Sequence, residues 1–208
     1  RTRSLQPELE YMFKHPLTQE VVYNSVLKKE RQEIHEQIAL VMEQLFQERL
    51  PEFYETLAFH FKRGQSLHKA VDYLMKSGEK SLKRYAVEES HQYYQEAFDL
   101  LAHKTGVKDE ERRVLIDLLI KWAYVFYYRG DFRGLVRLFR DHERLAASLE
   151  KSDLGMFYAW LGLGLNGTGE VKSSYEYLRK ALKTGEEIED RRVIGYACTW
   201  LTWTCAEL

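Results

Sequence analysis

The residues Gly162–Leu163–Gly164–Leu165–Asn166–Gly167 spell GxGxxG, the spacing with which a dinucleotide-binding turn brings backbone amides against a pyrophosphate. That chemistry needs a strand before the first glycine, a helix opening at it and an acidic residue about twenty positions later. Here the glycines fall inside or at the end of a helical pattern that begins near Asp153, and Gly162 stands at a small packing position. No cofactor is expected. Asn166–Gly167–Thr168 has the form of a glycosylation acceptor, a meaning it loses in a cytoplasmic chain. Seven histidines raise the question of a metal. His60 and His68 straddle a turn, His35, His91, His103 and His142 are scattered over different helices, and no HExxH, CxxC or paired i, i+4 histidines occur. No metal is expected. Glu88–Glu89 and Glu186–Glu187–Glu189–Asp190 are acidic runs, but adjacent helical positions do not face one another, so a solvated face is the expectation. There is no GxxxxGK[ST] loop, no nucleophile elbow and no defensible Cys–His pairing. This chain is expected to catalyse nothing by itself.

Arg133, Arg137, Arg140 and Arg144 recur at near-helical spacing, with Arg129 just ahead. On one stripe they would hold an acidic partner or a phosphate. As plain outward positions, partly balanced by Asp141 and Glu143, they would hold nothing. Both readings stay open.

The elements that would carry these residues are helical. Hydrophobic residues make up 45% and charged residues 30%, which excludes a disordered chain. The three prolines, Pro7, Pro16 and Pro51, all lie in the first quarter, so long helices can form freely after Pro51. A net charge of -1 gives no global field for nucleic acid or anionic lipid. No apolar run is long enough to cross a membrane. Cys198 and Cys205 share a helix face but lie too far apart to bond, which fits a reducing, cytoplasmic setting. The chain opens on Arg1 and ends within a helical pattern, as a segment cut from something larger would.

Tyr11 and Phe13 alternate with polar neighbours, so a short strand is predicted over Leu9–Phe13. A helix then starts at Pro16, and a second carries Ile34, Ile38, Val41, Met42, Leu45 and Phe46 on one stripe. From there helices are predicted over 53–63, 67–83, 86–102, 109–129, 132–149, 153–166, 171–187 and from 190 onward. Asp131 is the expected N-cap of the helix after Gly130. Three stretches align on one another: Tyr54–Leu57–Ala58–Phe61 with Ala70–Leu74–Ser77, Leu119–Trp122–Ala123–Phe126 with Leu135–Phe139–His142, and Tyr158–Leu161–Gly162–Leu165 with Ser174–Leu178–Ala181. Each is a helix, a glycine turn (Gly64, Gly130, Gly169) and a second helix. Small residues, Ala58 with Ala70 and Gly162 with Ser174, let the paired backbones approach closely. Ser90, Tyr94 and Ala97 read as the second half of a further repeat whose first helix is the end of the preceding one, and Leu135 stands where a small residue is usual.

These stretches resemble the tetratricopeptide repeat over roughly three quarters of the chain. They depart from it in a spacing of about 39 to 40 residues between the last two copies, against ~34 for the standard unit. The resemblance implies an all-α fold of antiparallel helix-pair repeats in a right-handed superhelical array. It also places Tyr124, Tyr127 and Tyr128, with Phe59 and Asn166 at equivalent positions, on a concave partner-binding groove. Covering neighbouring helices is the competing role for these tyrosines. The groove lacks the Lys/Asn set with which family members clamp a C-terminal carboxylate, so chaperone-tail binding is not expected.

At the front, Phe13–Lys14–His15–Pro16–Leu17–Thr18–Gln19–Glu20 with Tyr23, Leu27, Arg31, His35 and Ile38–Ala39 is similar to the junction between ATPase module and repeat array in large signal-transducing ATPases. Bacterial class III adenylate/guanylate cyclases with such an array are the nearest likeness. Leu57–Ala58–Phe59–His60–Phe61, Lys69–Ala70–Val71 and Gly78–Glu79–Lys80 continue it. The resemblance implies a junction over 1–48, the tail of a winged-helix-like element, and a repeat array over 49–208 truncated at its C-terminus. It implies a non-catalytic protein-interaction and regulatory scaffold, whose full-length parent carries cyclase and ATPase domains. Its partner would be another domain of the same chain or a signalling protein, with no nucleic acid or membrane bound by this segment, and a homodimer through the C-terminal repeat face would cover the open end. The alternative, from maltose-regulator-type activators of the same layout, is the ligand-sensing part of a DNA-binding transcription activator.

Overall fold

The computed structural model describes residues 15–102, 109–146 and 150–208. All regular structure among them is helical: α1 (Pro16–Ser25), α2 (Lys28–Leu45), a 3-10 turn (Gln47–Glu52), α3 (Tyr54–Arg63), α4 (Leu67–Lys83), α5 (Val87–Ala102), α6 (Asp109–Arg129), α7 (Phe132–Asp141), α8 (Glu143–Ala146), α9 (Lys151–Gly167), α10 (Val171–Glu187) and α11 (Arg191–Glu207). The expected strand over Leu9–Phe13 lies outside the described residues, as does His103. One predicted helix, 132–149, is broken. At His142 the backbone leaves the helical region (φ -111, ψ 6), and the ring Nδ1 sits 2.8 Å from the Leu138 carbonyl oxygen, ending α7 there.

Successive helices pack on one another, α2 on α3, α3 on α4, α4 on α5, α5 on α6, α6 on α7, α7 on α9, α9 on α10 and α10 on α11. Contacts of α4 with α6, α6 with α9 and α9 with α11 line these four helices into one row. The helices between them, α5, α7 and α10, close the other side, and a continuous apolar core runs from Ala39 to Trp200.

A shift of 84 residues carries α4 onto α9 and α5 onto α10. It carries chemistry as well as shape. The buried Ser90 hydroxyl donates to the Gly78 carbonyl at 2.8 Å, and the buried Ser174 hydroxyl donates to the Gly162 carbonyl at 2.8 Å. A Cβ on Gly78 would meet the Tyr94 ring at 2.8 Å, and one on Gly162 would meet Leu178 Cγ at 2.6 Å. Each first helix therefore offers bare backbone to a serine and a large side chain on its mate. In the middle pair the same places hold Ala123, Leu135 and Phe139, and α6 and α7 pack less extensively.

The turns after these helices share one geometry. The amides of Ala86, Asp131, Glu170 and Asp190 donate to the carbonyls of Ser81, Phe126, Leu165 and Gly185, wrapping each helix end around a left-handed residue. Those residues are Tyr85 (φ 60), Gly130 (φ 66), Gly169 (φ 83) and Glu189 (φ 56). Gly64 does not belong to the set, since its φ is -83. The first repeat thus shifts register: α4 is the first helix of the α4–α5 pair, not the second helix of a pair turning at Gly64. Gly64 is small for another reason. Glu36 of α2 accepts from the Gln65 amide at 2.8 Å, the Ser66 amide at 3.1 Å and the Ser66 hydroxyl, and a Cβ on Gly64 would collide with that carboxylate. Burial alone would raise the Glu36 pKa, but these hydrogen bonds lower it. As expected, Asp131 caps α7, accepting from the Gly134 amide at 2.9 Å. Asp190 likewise caps α11.

Gly162→Ala should cost about 1–3 kcal/mol in urea unfolding, because the new methyl displaces Leu178 from a filled site. Gly195→Ala, inside α11 with open space around its Cα, should instead raise stability by about 0.5–1 kcal/mol. Equal shifts in the two variants would contradict this packing.

Candidate partner-binding trough

Between α4 and α6 lie two adjoining cavities of about 610 Å³ and about 410 Å³. Both are lined by Glu79 and Lys121, so they form one trough crossed by a charged bridge. Lys121 Nζ lies 2.8 Å from Glu79 and 3.1 Å from Asp117. Burial pulls the Lys121 pKa down, but its bonds to Glu79 and Asp117 prevail and raise it, so the bridge stays charged. The larger cavity has an apolar floor of Val71, Met75, Leu101 and Val114, with Asp72 and Asp117 on its walls. The smaller is aromatic, built from Leu82, Tyr85, Tyr94, Tyr124 and Tyr128, with Lys83 at its rim.

Tyr124 and Tyr128, expected as groove residues, therefore share one cavity. Tyr124 is half-buried. Its ring meets Trp160 edge-on at a centroid distance of 4.6 Å and its hydroxyl bonds that of Tyr196, so burial and then this bond raise its pKa. It serves both as trough wall and as cover for the neighbouring helix. Tyr128 is 54% exposed. Tyr127 turns instead towards Tyr128 and Trp160, covering a neighbour. Asn166 lines neither cavity, and its Oδ1 is buried without a hydrogen-bond partner. Phe59 lies elsewhere, on α3, because α3 precedes the α4–α5 pair instead of opening a repeat equivalent to α6 or α9.

Tyr85 was not foreseen. It is 80% exposed and held in the left-handed conformation that Gly169 adopts in the equivalent turn. A non-glycine residue there costs about 1 kcal/mol or more, a strain found preferentially at binding sites. Only self-alignment by 84 residues, setting Tyr85 against Gly169, carries a trace of it in the sequence.

Phe59 instead stands beside a partly buried polar chain. Tyr23 Oη is 3.0 Å from His35 Nε2, and His35 Nδ1 is 2.9 Å from His60 Nδ1. Phe59 meets both rings edge-on, and the Arg63 guanidinium lies 3.6 Å from its centroid. Burial first, then Arg63 and Arg31, lowers the His35 pKa; burial first, then His35 and Arg63, lowers that of His60. Among the described residues, Tyr23 and these two arginines also face the pair.

The arginine stripe is divided. Arg133, Val136, Arg137, Arg140 and Asp141 of α7 line a cleft of about 430 Å³, with Thr168 and Glu170 of the α9–α10 turn opposite. Arg140 pairs with Glu170 at 2.7 Å. Arg144, expected on the same stripe, falls on α8 beyond the break at His142 and does not line the cleft. The GxGxxG glycines are packing positions in α9, their open sides filled by Leu178, Val136 and Phe132. Among the described residues no three His, Cys, Asp or Glu side chains are grouped as a metal site would need. No helix there is long and apolar enough to cross a membrane.

Because the fold favours neutral His35 and His60, stability should be complete above the ordinary histidine pKa of 6.5 and be lost as pH falls below it. The melting temperature should drop between pH 7 and pH 5, and His35→Gln with His60→Gln should flatten that drop. An identical pH profile in the double variant would exclude the pair as its source.

No protein-family model matches the chain. Over 110 residues, 52% of its length, it is 34% identical to an uncharacterized protein of Rhizobium meliloti (strain 1021). The matched region spans 10% of that relative's length.

Proposed function

We propose that this chain is a tetratricopeptide-like, non-catalytic scaffold that holds a protein segment in the α4–α6 trough, as part of a multidomain signalling protein of the cyclase–ATPase type. The observation that carries the reading is Tyr85. An exposed aromatic ring is kept in a conformation suited to glycine, at the mouth of a cavity that Tyr124 and Tyr128 also line. Tyrosines bury large area at small cost in side-chain freedom, which suits anchors of a protein interface. The stacked helix pairs and the front-end junction residues support the scaffold context, and the partner is another domain of the parent or a signalling protein. The relative, about tenfold longer than its matched region, fits a segment embedded in a large protein. A second reading, a sensor for a small inducer, draws on the larger cavity, whose 610 Å³ lies within the usual range for small-molecule pockets.

Tyr85→Gly separates fold from function. It should raise stability by about 0.5–1 kcal/mol by relieving the left-handed strain. In the natural full-length protein, a photo-crosslinking residue at Lys83 should form a dominant crosslink to protein. Tyr85→Gly with Tyr128→Ala should reduce it at least tenfold. A crosslink indifferent to both tyrosines removes the trough as the binding face, and ATP turnover by the purified chain would replace the scaffold reading with an enzymatic one.

A further inference from the structure

The cleft beside α7 is separate from the trough and shares no lining residue with it. Val136 is its one apolar lining residue, on a helix that buries Leu135, Val136 and Phe139 and that Asp131 caps. Arg133, Arg137 and Arg140 point outward, all exposed. Glu170 holds Arg140, but among the described residues neither Arg133 nor Arg137 forms an ion pair.

The repeat supplies an internal control. Using the shared left-handed turns as register, the corresponding exposed positions are Glu88, Gln92 and Gln95 on α5, and Lys172, Glu176 and Arg179 on α10. Three arginines at these positions are therefore special to α7 rather than a habit of outward helix faces. On a helix, residues i and i+4 lie one turn apart, about 5–6 Å. Alternate side chains of an extended chain, on one face, lie about 6.8 Å apart. Two carboxylates at i and i+2 of a strand-like peptide thus match Arg133 and Arg137, and each can be gripped by a planar guanidinium fork.

We infer that the α7 cleft is a second docking site, which takes an extended acidic peptide segment with Glu or Asp at alternate positions, gripped by Arg133 and Arg137. Arg140, tied to Glu170, shapes the wall. The three arginines outnumber Asp141 and Glu170, the acidic residues of the cleft, which selects an acidic occupant, and the turn-length spacing sets its register.

Hexaglutamate is the probe, titrated into the purified chain at low salt and followed by NMR shifts of the α7 amides. Binding should appear and weaken as salt rises. Arg133→Gln with Arg137→Gln should lower affinity at least tenfold with an unchanged helical circular-dichroism spectrum. Lys172→Gln with Arg179→Gln, and Tyr85→Gly with Tyr128→Ala, should leave it unchanged, the latter making this outcome independent of the trough. Equal affinity in the Arg133/Arg137 variant would overturn the site. So would equal binding of inorganic phosphate or of a single-stranded oligonucleotide, which would mark unselective anion attraction.

Discussion

The stack rests on how closely two helix backbones can approach. At Gly78 and Gly162 a helix presents no side chain, and its mate fills the gap with a serine whose hydroxyl is spent on the exposed carbonyl. That one contact satisfies a buried polar group and brings Tyr94 or Leu178 down onto the glycine. Where Ala123 faces Leu135 the pair packs less extensively, and α7 stops at Asp141. This variation sets the middle pair apart from the other two. It leaves α7 shorter than α5 and α10, beside the cleft that its arginines line.

Helix ends are the second constraint. The same carbonyl-to-amide wrap closes α4, α6, α9 and α10, so each needs a left-handed residue at one place. Gly130 and Gly169 supply it without strain. Tyr85 and Glu189 supply it with strain, and Tyr85 places an exposed ring at the trough. Neighbouring Lys121 holds Glu79 and Asp117 together across the trough, fixing two of the helices whose separation defines the cavity.

The front of the chain obeys different rules. Among the described residues α1 buries no side chain, and Tyr23 and Asn24 reach α2 through His35 and Arg31. Glu36 in turn holds the backbone entering α4. This front segment is fastened by hydrogen bonds, several through titratable groups, whereas the stack is fastened by apolar burial.

Periodicity alone determined that the chain is helical, since apolar residues recur at helical spacing and prolines are absent after Pro51. It located most helix ends to within two residues, found the Asp131 cap, and marked the Gly162–Ser174 contact, because each depends on near neighbours along the chain. The sequence offered α4 two pairings, with α3 and with α5, and tertiary structure decided between them. A glycine can serve a left-handed turn or make room for a distant carboxylate, and the letter at Gly64 is the same in both cases. That choice of register is also why Phe59 sits apart from Tyr124 and Tyr128. The trough itself joins residues about 40 positions apart, Glu79 to Lys121 and Tyr85 to Tyr128, which no local pattern links. Tyr85 was hidden for the plainest reason: the fold imposes on it a backbone conformation that its own side chain disfavours.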